Sequence, residues 1–188
     1  MTKRFVLTSF DIWLPHHTSN SSDDLLEFVS QFKSLPYDLN FLRKLPVDVP
    51  TASEKVIAKI GETQPDYIIC CGMAESRSKL SVESNARSTS HITKDGSESI
   101  LRTSIDLDNL VRESVALEIS HNCGRFVCEG LYYSVLNFIN LHCQFHPHKS
   151  SCIFVHVPIL TEKNLSVILK DFLSIIRCLA LSPTGERL

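Results

Sequence analysis

One cysteine and one histidine stand in contexts that suit a nucleophile and its base. Cys128 follows an apolar strand pattern at 115–119 and a glycine-containing turn, and it lies in the first turns of a helical pattern that begins at Phe126. Unpaired backbone N–H groups and the positive end of the helix dipole favour the thiolate at such a position. His156 lies near the end of a later apolar run, 152–157. Together the two residues predict a cysteine nucleophile with an imidazole base.

The composition is that of an ordinary globular chain. Its 188 residues are enough for one domain, 1–188, and 43% hydrophobic with 21% charged residues exclude the disordered and collagen-like classes. A net charge of -2 gives no support to a nucleic-acid or anionic-membrane partner. No apolar run approaches the roughly 18 residues of a membrane span, and Asp11 interrupts the first one, so neither a span nor a secretory signal is predicted. Seven cysteines, an odd number, then favour reduced thiols in the cytoplasm.

Strand and helix patterns alternate along nearly the whole chain. Strands are predicted near 4–8, 39–47, 67–72, 80–86, 115–119 and 152–157, and helices near 22–32, 50–61, 106–113, 126–143 and 165–181. This alternation predicts an α/β fold, a three-layer sandwich with a mainly parallel twisted sheet and helices on both faces.

Sites in such sheets gather outside the carboxyl ends of the strands. The loops after Thr8, Gly72, Ser120 and Val155 are therefore expected to converge on one edge. The polar stretch 87–99 has no apolar period and is predicted to be a flexible active-site flap or a disordered loop.

Four segments match, in order, the motifs of a known family and cover nearly the whole chain. They are Leu7-Thr-Ser-Phe10-Asp-Ile-Trp13, Pro65-Asp-Tyr-Ile-Ile-Cys-Cys-Gly72 with Leu80-Ser-Val-Glu83, Asn122-Cys-Gly-Arg-Phe-Val-Cys128-Glu-Gly-Leu-Tyr-Tyr133, and Ile153-Phe-Val-His156-Val-Pro158. The chain resembles the pyroglutamyl peptidase I family, cysteine peptidases that remove N-terminal pyroglutamate (5-oxoproline) from peptides. The resemblance implies a divergent member that acts on such peptides without a metal or other cofactor and forms a homo-oligomer, a dimer or a tetramer.

The resemblance also implies roles for particular residues. Cys128 would attack and form a thioester, His156 would carry the proton, and Glu83 would orient the imidazole. Backbone N–H groups at the start of the Cys128 helix could bind the oxyanion. Arg87 is near enough to Glu83 in sequence to be a further oxyanion or carboxylate partner.

The expected substrate pocket is apolar, because the pyroglutamyl ring is small, flat and uncharged. The resemblance places it at Phe10, Trp13, Met73 and Val127. The other cysteines are interpreted as inert buried residues; they are Cys70, Cys71, Cys123, Cys143, Cys152 and Cys178.

Departures from the family pattern leave an alternative open. Ser9, Met73 and Ser84 differ from the usual residues, and the polar loop at 88–99 is shortened. Beside the leading hypothesis of a peptidase, these changes motivate the alternative of a catalytically weak relative that binds small lactams or peptides without turnover. Retention of the cysteine, histidine and glutamate together argues against it, because a pure binder has no need for all three.

Two further hypotheses receive less support. A nucleoside-processing enzyme could share the layered architecture, but the phosphate-binding glycine, serine and arginine signals it needs are missing from the sequence. His142, Cys143, His146 and His148 have a spacing compatible with zinc, but no second cluster completes the site, so no metal is predicted.

Overall fold

The computed structural model describes residues 2–32, 34–92, 98–112, 114–142 and 149–182. The strands are β1 (Arg4–Phe10), β2 (Asp38–Leu45), β3 (Tyr67–Met73), β4 (Leu80–Glu83), β5 (Asn85–Ile92), β6 (Glu98–Arg102), β7 (Leu117–Ser120) and β8 (Ser151–Val157). The helices are α1 (Ser21–Ser30), α2 (Val49–Thr63), α3 (Leu107–Val111), α4 (Val127–His142) and α5 (Leu165–Leu181). Within the described residues, no helix combines the length and the apolarity needed to cross a bilayer.

Six strands form the central sheet, in the order β2-β1-β3-β8-β4-β7. β1, β2, β3 and β8 are mutually parallel, and β7 runs parallel to β4. The apolar runs that become β3 and β8 are buried along almost their whole length, as expected for inner strands of a parallel sheet. The predicted mainly parallel sheet is confirmed.

Helices cover both faces of this sheet, and each face has its own apolar core. One core joins α1, α3 and α5 to the sheet through residues such as Leu25 and Phe172. The other joins α2 and α4 to the opposite face through residues such as Val56 and Tyr132. The predicted three-layer arrangement is therefore confirmed.

Two strands, β4 and β7, run opposite to the other four. β4 pairs antiparallel with β8, and β7 follows β4, so the loop after Ser120 does not leave from the same edge as the ends of β1, β3 and β8. The four carboxyl ends therefore do not lie at one edge, but the loop after Ser120 still meets the others, since Cys123 lies beside Glu83 and His156. The reason for the reversed direction is the short connection 74–79 between β3 and β4, which can only turn the chain back, whereas a parallel crossover needs about a dozen residues or more.

The polar stretch 87–99 was expected to be a flexible flap or a disordered loop; the disordered loop was wrong for its described parts, and the flap stays a prediction. β5 and β6 pair antiparallel as a separate two-stranded sheet, and residues 93–97 lie outside the described residues. Ala86 and Ser88 are buried, and β5 and β6 both contact α4. The residues of β5 are mostly small and polar, so this strand has no apolar periodicity. The sequence pattern therefore missed it.

Ser9, one of the departures from the family pattern, is part of a buried polar network. Its Oγ donates to Asp23 Oδ1 over 2.7 Å, and Arg43 donates to both Asp23 oxygens over 2.8 Å. Burial alone would raise the pKa of Asp23, but the hydrogen bonds from Arg43 and Ser9 lower it overall. The network joins β1, α1 and β2, and Ser9 lies shortly before the connection that carries Trp13.

Candidate active site

A glutamate and a histidine form a buried pair between β4 and β8. Glu83 ends β4, His156 lies near the end of β8, and 2.7 Å separates Glu83 Oε1 from His156 Nδ1. Glu83 is 0% exposed and His156 is 5% exposed, so water does not compete for this contact. Arg77 Nη1 lies 2.7 Å from the same Glu83 oxygen, and Arg77 Nη2 donates to the backbone oxygen of Asn122.

The surroundings of Glu83 keep its side chain ionised. Burial would raise the pKa of this carboxyl group, but hydrogen bonds from His156 and Ser120 and the charge of Arg77 lower it below its ordinary value. Tyr132 holds the backbone at this point, because its hydroxyl donates to the main-chain oxygen of Glu83 over 3.0 Å. A fixed anion thus faces one nitrogen of the His156 ring.

Cys128 is in the first turn of α4, as the sequence pattern predicted, with its thiol over β3. A Cβ on Gly72 would lie 2.7 Å from Cys128 Sγ, so this glycine makes the space that the sulfur occupies. Gly72 is paired with His156 in the neighbouring strand. Strands in a sheet lie about 4.8 Å apart, so the thiol lies over the strand position next to His156.

The expectation that Cys128 is readily ionised was wrong for the protein without substrate. Burial raises the pKa of this thiol to about 12, and the negative charge of Glu83 adds to the rise. The N–H of Cys128 itself and the charge of Arg77 act in the opposite direction but do not outweigh burial. The helix N-terminus is present, yet desolvation of the sulfur decides the protonation state.

A second thiol, Cys123, lies beside the same pair. One ligand atom each of Glu83, Cys123 and His156 lies within 4.8 Å of the other two. Cys123 is 4% exposed, and burial raises the pKa of its thiol far above the ordinary value. The sequence analysis treated Cys123 as one inert cysteine among several, because only the fold brings it to Glu83.

A cavity of about 250 Å³ opens beside Cys128. It is lined by Phe10, Trp13, Asn20, Val47, Met73, Glu75, Ser76, Phe126, Val127 and Cys128. The four residues predicted for the substrate pocket are thus brought together with Cys128. Phe126, which the sequence analysis did not place in the pocket, packs on Trp13 with 4.8 Å between ring centroids. Met73 Sδ accepts a hydrogen bond from the backbone N–H of Ser21.

Arg87 and Ser84 are not among the residues that line this cavity. The backbone N–H of Arg87 donates to Glu129 Oε1 over 3.1 Å, which fastens β5 to the first turn of α4. The arginine in contact with Glu83 is Arg77, which local sequence did not single out.

Ser84 Oγ lies 2.7 Å from His121 Nδ1 and so links the break between β4 and β5 to the connection after β7. The zinc-compatible residues 143–148 lie outside the described residues.

The chain is similar in sequence to known proteins. No protein-family model matches the chain. A pyrrolidone-carboxylate peptidase of Bacillus amyloliquefaciens is 26% identical over 187 residues, covering 88% of this chain and 82% of that protein. A protein of the same name from Enterococcus faecalis is 27% identical over 156 residues, covering 71% of each chain.

Solved structures share the fold. Pyroglutamyl peptidase I from Bacillus amyloliquefaciens superposes with a TM-score of 0.77 at 22% identity, over 98% of this chain and all of the other. Pyrrolidone carboxyl peptidase from Thermococcus litoralis superposes with a TM-score of 0.75 at 17% identity, over 96% of this chain and 94% of the other. The chain is thus similar in sequence to pyrrolidone-carboxylate peptidases, and it shares the three-layer α/β fold of the solved structures.

Proposed function

We propose that the protein is a cysteine exopeptidase that removes N-terminal pyroglutamate from peptides. The observation that carries the proposal is the position of Cys128, which borders a small apolar cavity and lies over Gly72 beside the Glu83–His156 pair. A thiol, an imidazole and a fixed carboxylate are the three groups that amide cleavage through a thioester requires.

In the first step the Cys128 thiol passes its proton to His156 as its sulfur attacks the substrate. The sulfur attacks the carbonyl carbon between pyroglutamate and the next residue, and the imidazolium then protonates the leaving amine as the C–N bond breaks. Because the pKa of the thiol is about 12 before substrate binds, proton transfer accompanies attack rather than preceding it. Glu83 stabilises the imidazolium, and His156 then activates water to hydrolyse the thioester.

The N-terminus of α4 supplies the stabilisation of the tetrahedral oxyanion. The first N–H groups of a helix have no intrahelical acceptor, and that of Cys128 lies beside the attacking sulfur. Each donor of this kind is worth about 3–4 kcal/mol in related acyl-transfer chemistry. Arg87 as a further oxyanion partner stays a prediction, since its described contacts are with Glu129.

The cavity suits an uncharged ring better than a charged N-terminus. Phe10, Met73 and Val127 give it apolar walls, and Trp13 with Phe126 forms an aromatic side. A pyroglutamyl ring would bury its carbon atoms there and pair its lactam N–H and C=O with backbone groups. A protonated proline ring of similar size would lose its hydration against these walls, because Glu75, the carboxylate that lines the cavity, is already paired with His17.

The proposal is tested with two fluorogenic amides that differ only in the ring. Reduced full-length protein is expected to release aminomethylcoumarin from the pyroglutamyl amide about 100-fold or more faster than from the prolyl amide. The reason is that only the prolyl ring carries a charge into the apolar cavity. Absence of release from both amides by folded protein would overturn the peptidase proposal. Saturable binding of the pyroglutamyl amide without release would then favour the alternative, a weak relative that binds lactams or peptides.

Gly72→Ala should reduce kcat/KM for the pyroglutamyl amide by about 100-fold or more. The new methyl group would lie 2.7 Å from Cys128 Sγ and 2.9 Å from Phe154 Cζ, so the thiol must move from its position. Gly61→Ala is the matched control, because nothing lies within 4 Å of its added Cβ and its rate should stay within about twofold of wild type. A Gly72→Ala enzyme with wild-type kcat/KM would contradict the assigned thiol position.

Cellular location and assembly extend the same proposal. A reducing compartment, the cytoplasm, suits Cys70, Cys71, Cys123, Cys128 and Cys152, none of which forms a disulfide. The family resemblance implies a homo-oligomer, a dimer or tetramer, and light scattering of the purified chain would measure it.

A further inference from the structure

Three side chains with metal-ligand chemistry meet at the rim of the cavity. His16 and His17 come from the connection between β1 and α1, and Glu75 comes from the connection between β3 and β4. One ligand atom of each lies within 4.8 Å of the other two. His17 Nε2 is 2.6 Å from Glu75 Oε1, and the two imidazole centroids are 4.4 Å apart.

The burial of His17 decides which of its ring nitrogens can bind an ion. The His17 side chain is only 9% exposed, and its Nδ1 is buried without a hydrogen-bond partner among the described residues. Nε2, which faces Glu75, is therefore the nitrogen that can bind an ion shared with that carboxylate. The ion would take the place of the proton that now lies between Nε2 and Glu75 Oε1.

The chemistry of the three groups selects the class of ion. Imidazole nitrogen and carboxylate oxygen are ligands of Zn²⁺ and neighbouring divalent transition metals, whereas Mg²⁺ and Ca²⁺ prefer oxygen alone. Two histidines and one carboxylate around zinc leave a fourth position for water or another ligand. The exposed His16 ring and the half-exposed Glu75 side chain have the freedom to close from their present spacing onto one ion.

We propose that His16, His17 and Glu75 form a binding site for Zn²⁺ at the mouth of the cavity. An ion there joins two connections that both border the cavity, since Trp13 and Glu75 line it. The site is separate from Cys128, Glu83 and His156, and it does not depend on the proposed peptidase activity. Bound zinc holds the two connections at a fixed distance and leaves one coordination position facing solvent.

Trp13, the chain's one tryptophan, makes the site directly observable. Its ring centroid lies 6.4 Å from that of His17. Titration of the reduced, chelator-treated full chain with Zn²⁺ in a calorimeter should give one equivalent bound. Paramagnetic Co²⁺ should quench the Trp13 fluorescence over the same equivalent, because it binds within a few ångströms of the indole. The variant carrying His16→Ala and His17→Ala together should bind both ions about 100-fold more weakly.

Controls separate this site from two other groups that could take zinc. Cys123→Ala removes a thiol from the Glu83–Cys123–His156 cluster, and His142→Gln removes a histidine at the end of α4; both variants should keep the wild-type affinity and Trp13 quenching. The bound Co²⁺ should lack a thiolate charge-transfer band, since no cysteine is among the three ligands. Wild-type zinc affinity in the double histidine variant, or a thiolate band at the first equivalent, would overturn the proposal. So would the absence of zinc binding by the wild-type chain.

Discussion

Cys128→Ala is expected to abolish release of the fluorogenic amine, with a loss of about 10⁴-fold or more in kcat/KM. The variant removes the sulfur that borders the cavity and leaves the Glu83–His156 pair and the aromatic wall in place. Without a nucleophile, the remaining groups can bind substrate but cannot form a thioester. Initial rates with the pyroglutamyl amide, under reducing conditions, measure the loss.

Cys123→Ala is the matched control for this experiment, because it makes the same change at the neighbouring thiol. Cys123 is buried, and Cys128 is the one of the two thiols that lines the cavity. The control should retain activity within about threefold of wild type, with a stability cost of about 1 kcal/mol for the lost sulfur. Loss of activity in Cys123→Ala together with an active Cys128→Ala would reverse the assignment of the nucleophile.

The layered fold could be predicted because its strands and helices carry strong periodic signals. The apolar runs at 67–72 and 152–157 became β3 and β8, and the helix predicted over 165–181 is α5. The direction of β4 and β7 could not be predicted in the same way. Direction depends on what a six-residue connection can span, and periodicity contains no information about it.

The residues of the candidate site also differ in whether the sequence could predict them. Cys128 and His156 each have a local signal, one at a helix start and the other at a strand end. Glu83 came from the family resemblance, because a lone glutamate in a strand has no such signal. Arg77 and Cys123 were missed, since their contacts with Glu83 join distant parts of the chain. Contacts of this kind are set by strand order, and the sequence pattern left that order open.

Glu83→Gln should lower kcat by about 10³–10⁴-fold while the fold is kept. Glutamine has the size of glutamate, but it brings no charge to stabilise the imidazolium, and its amide nitrogen can donate where His156 needs an acceptor. Glu118→Gln makes the same change on the neighbouring strand β7, at an exposed side chain, and should stay within about twofold of wild type. Circular dichroism checks that both variants are folded before their rates are compared.

The effect of Glu83→Gln on the stability of the fold is expected to depend on pH. The pKa of Glu83 is lowered in the fold, so its carboxylate contributes stability above the ordinary pKa of 4.5, and this contribution is lost as the pH falls through the lower folded value. The difference in Tm between wild type and Glu83→Gln should therefore be constant between about pH 6 and 8 and shrink below about pH 4. A difference that persists unchanged in acid would mean that Glu83 is not the ionised partner of His156. The loss of kcat would then need a cause other than the missing charge.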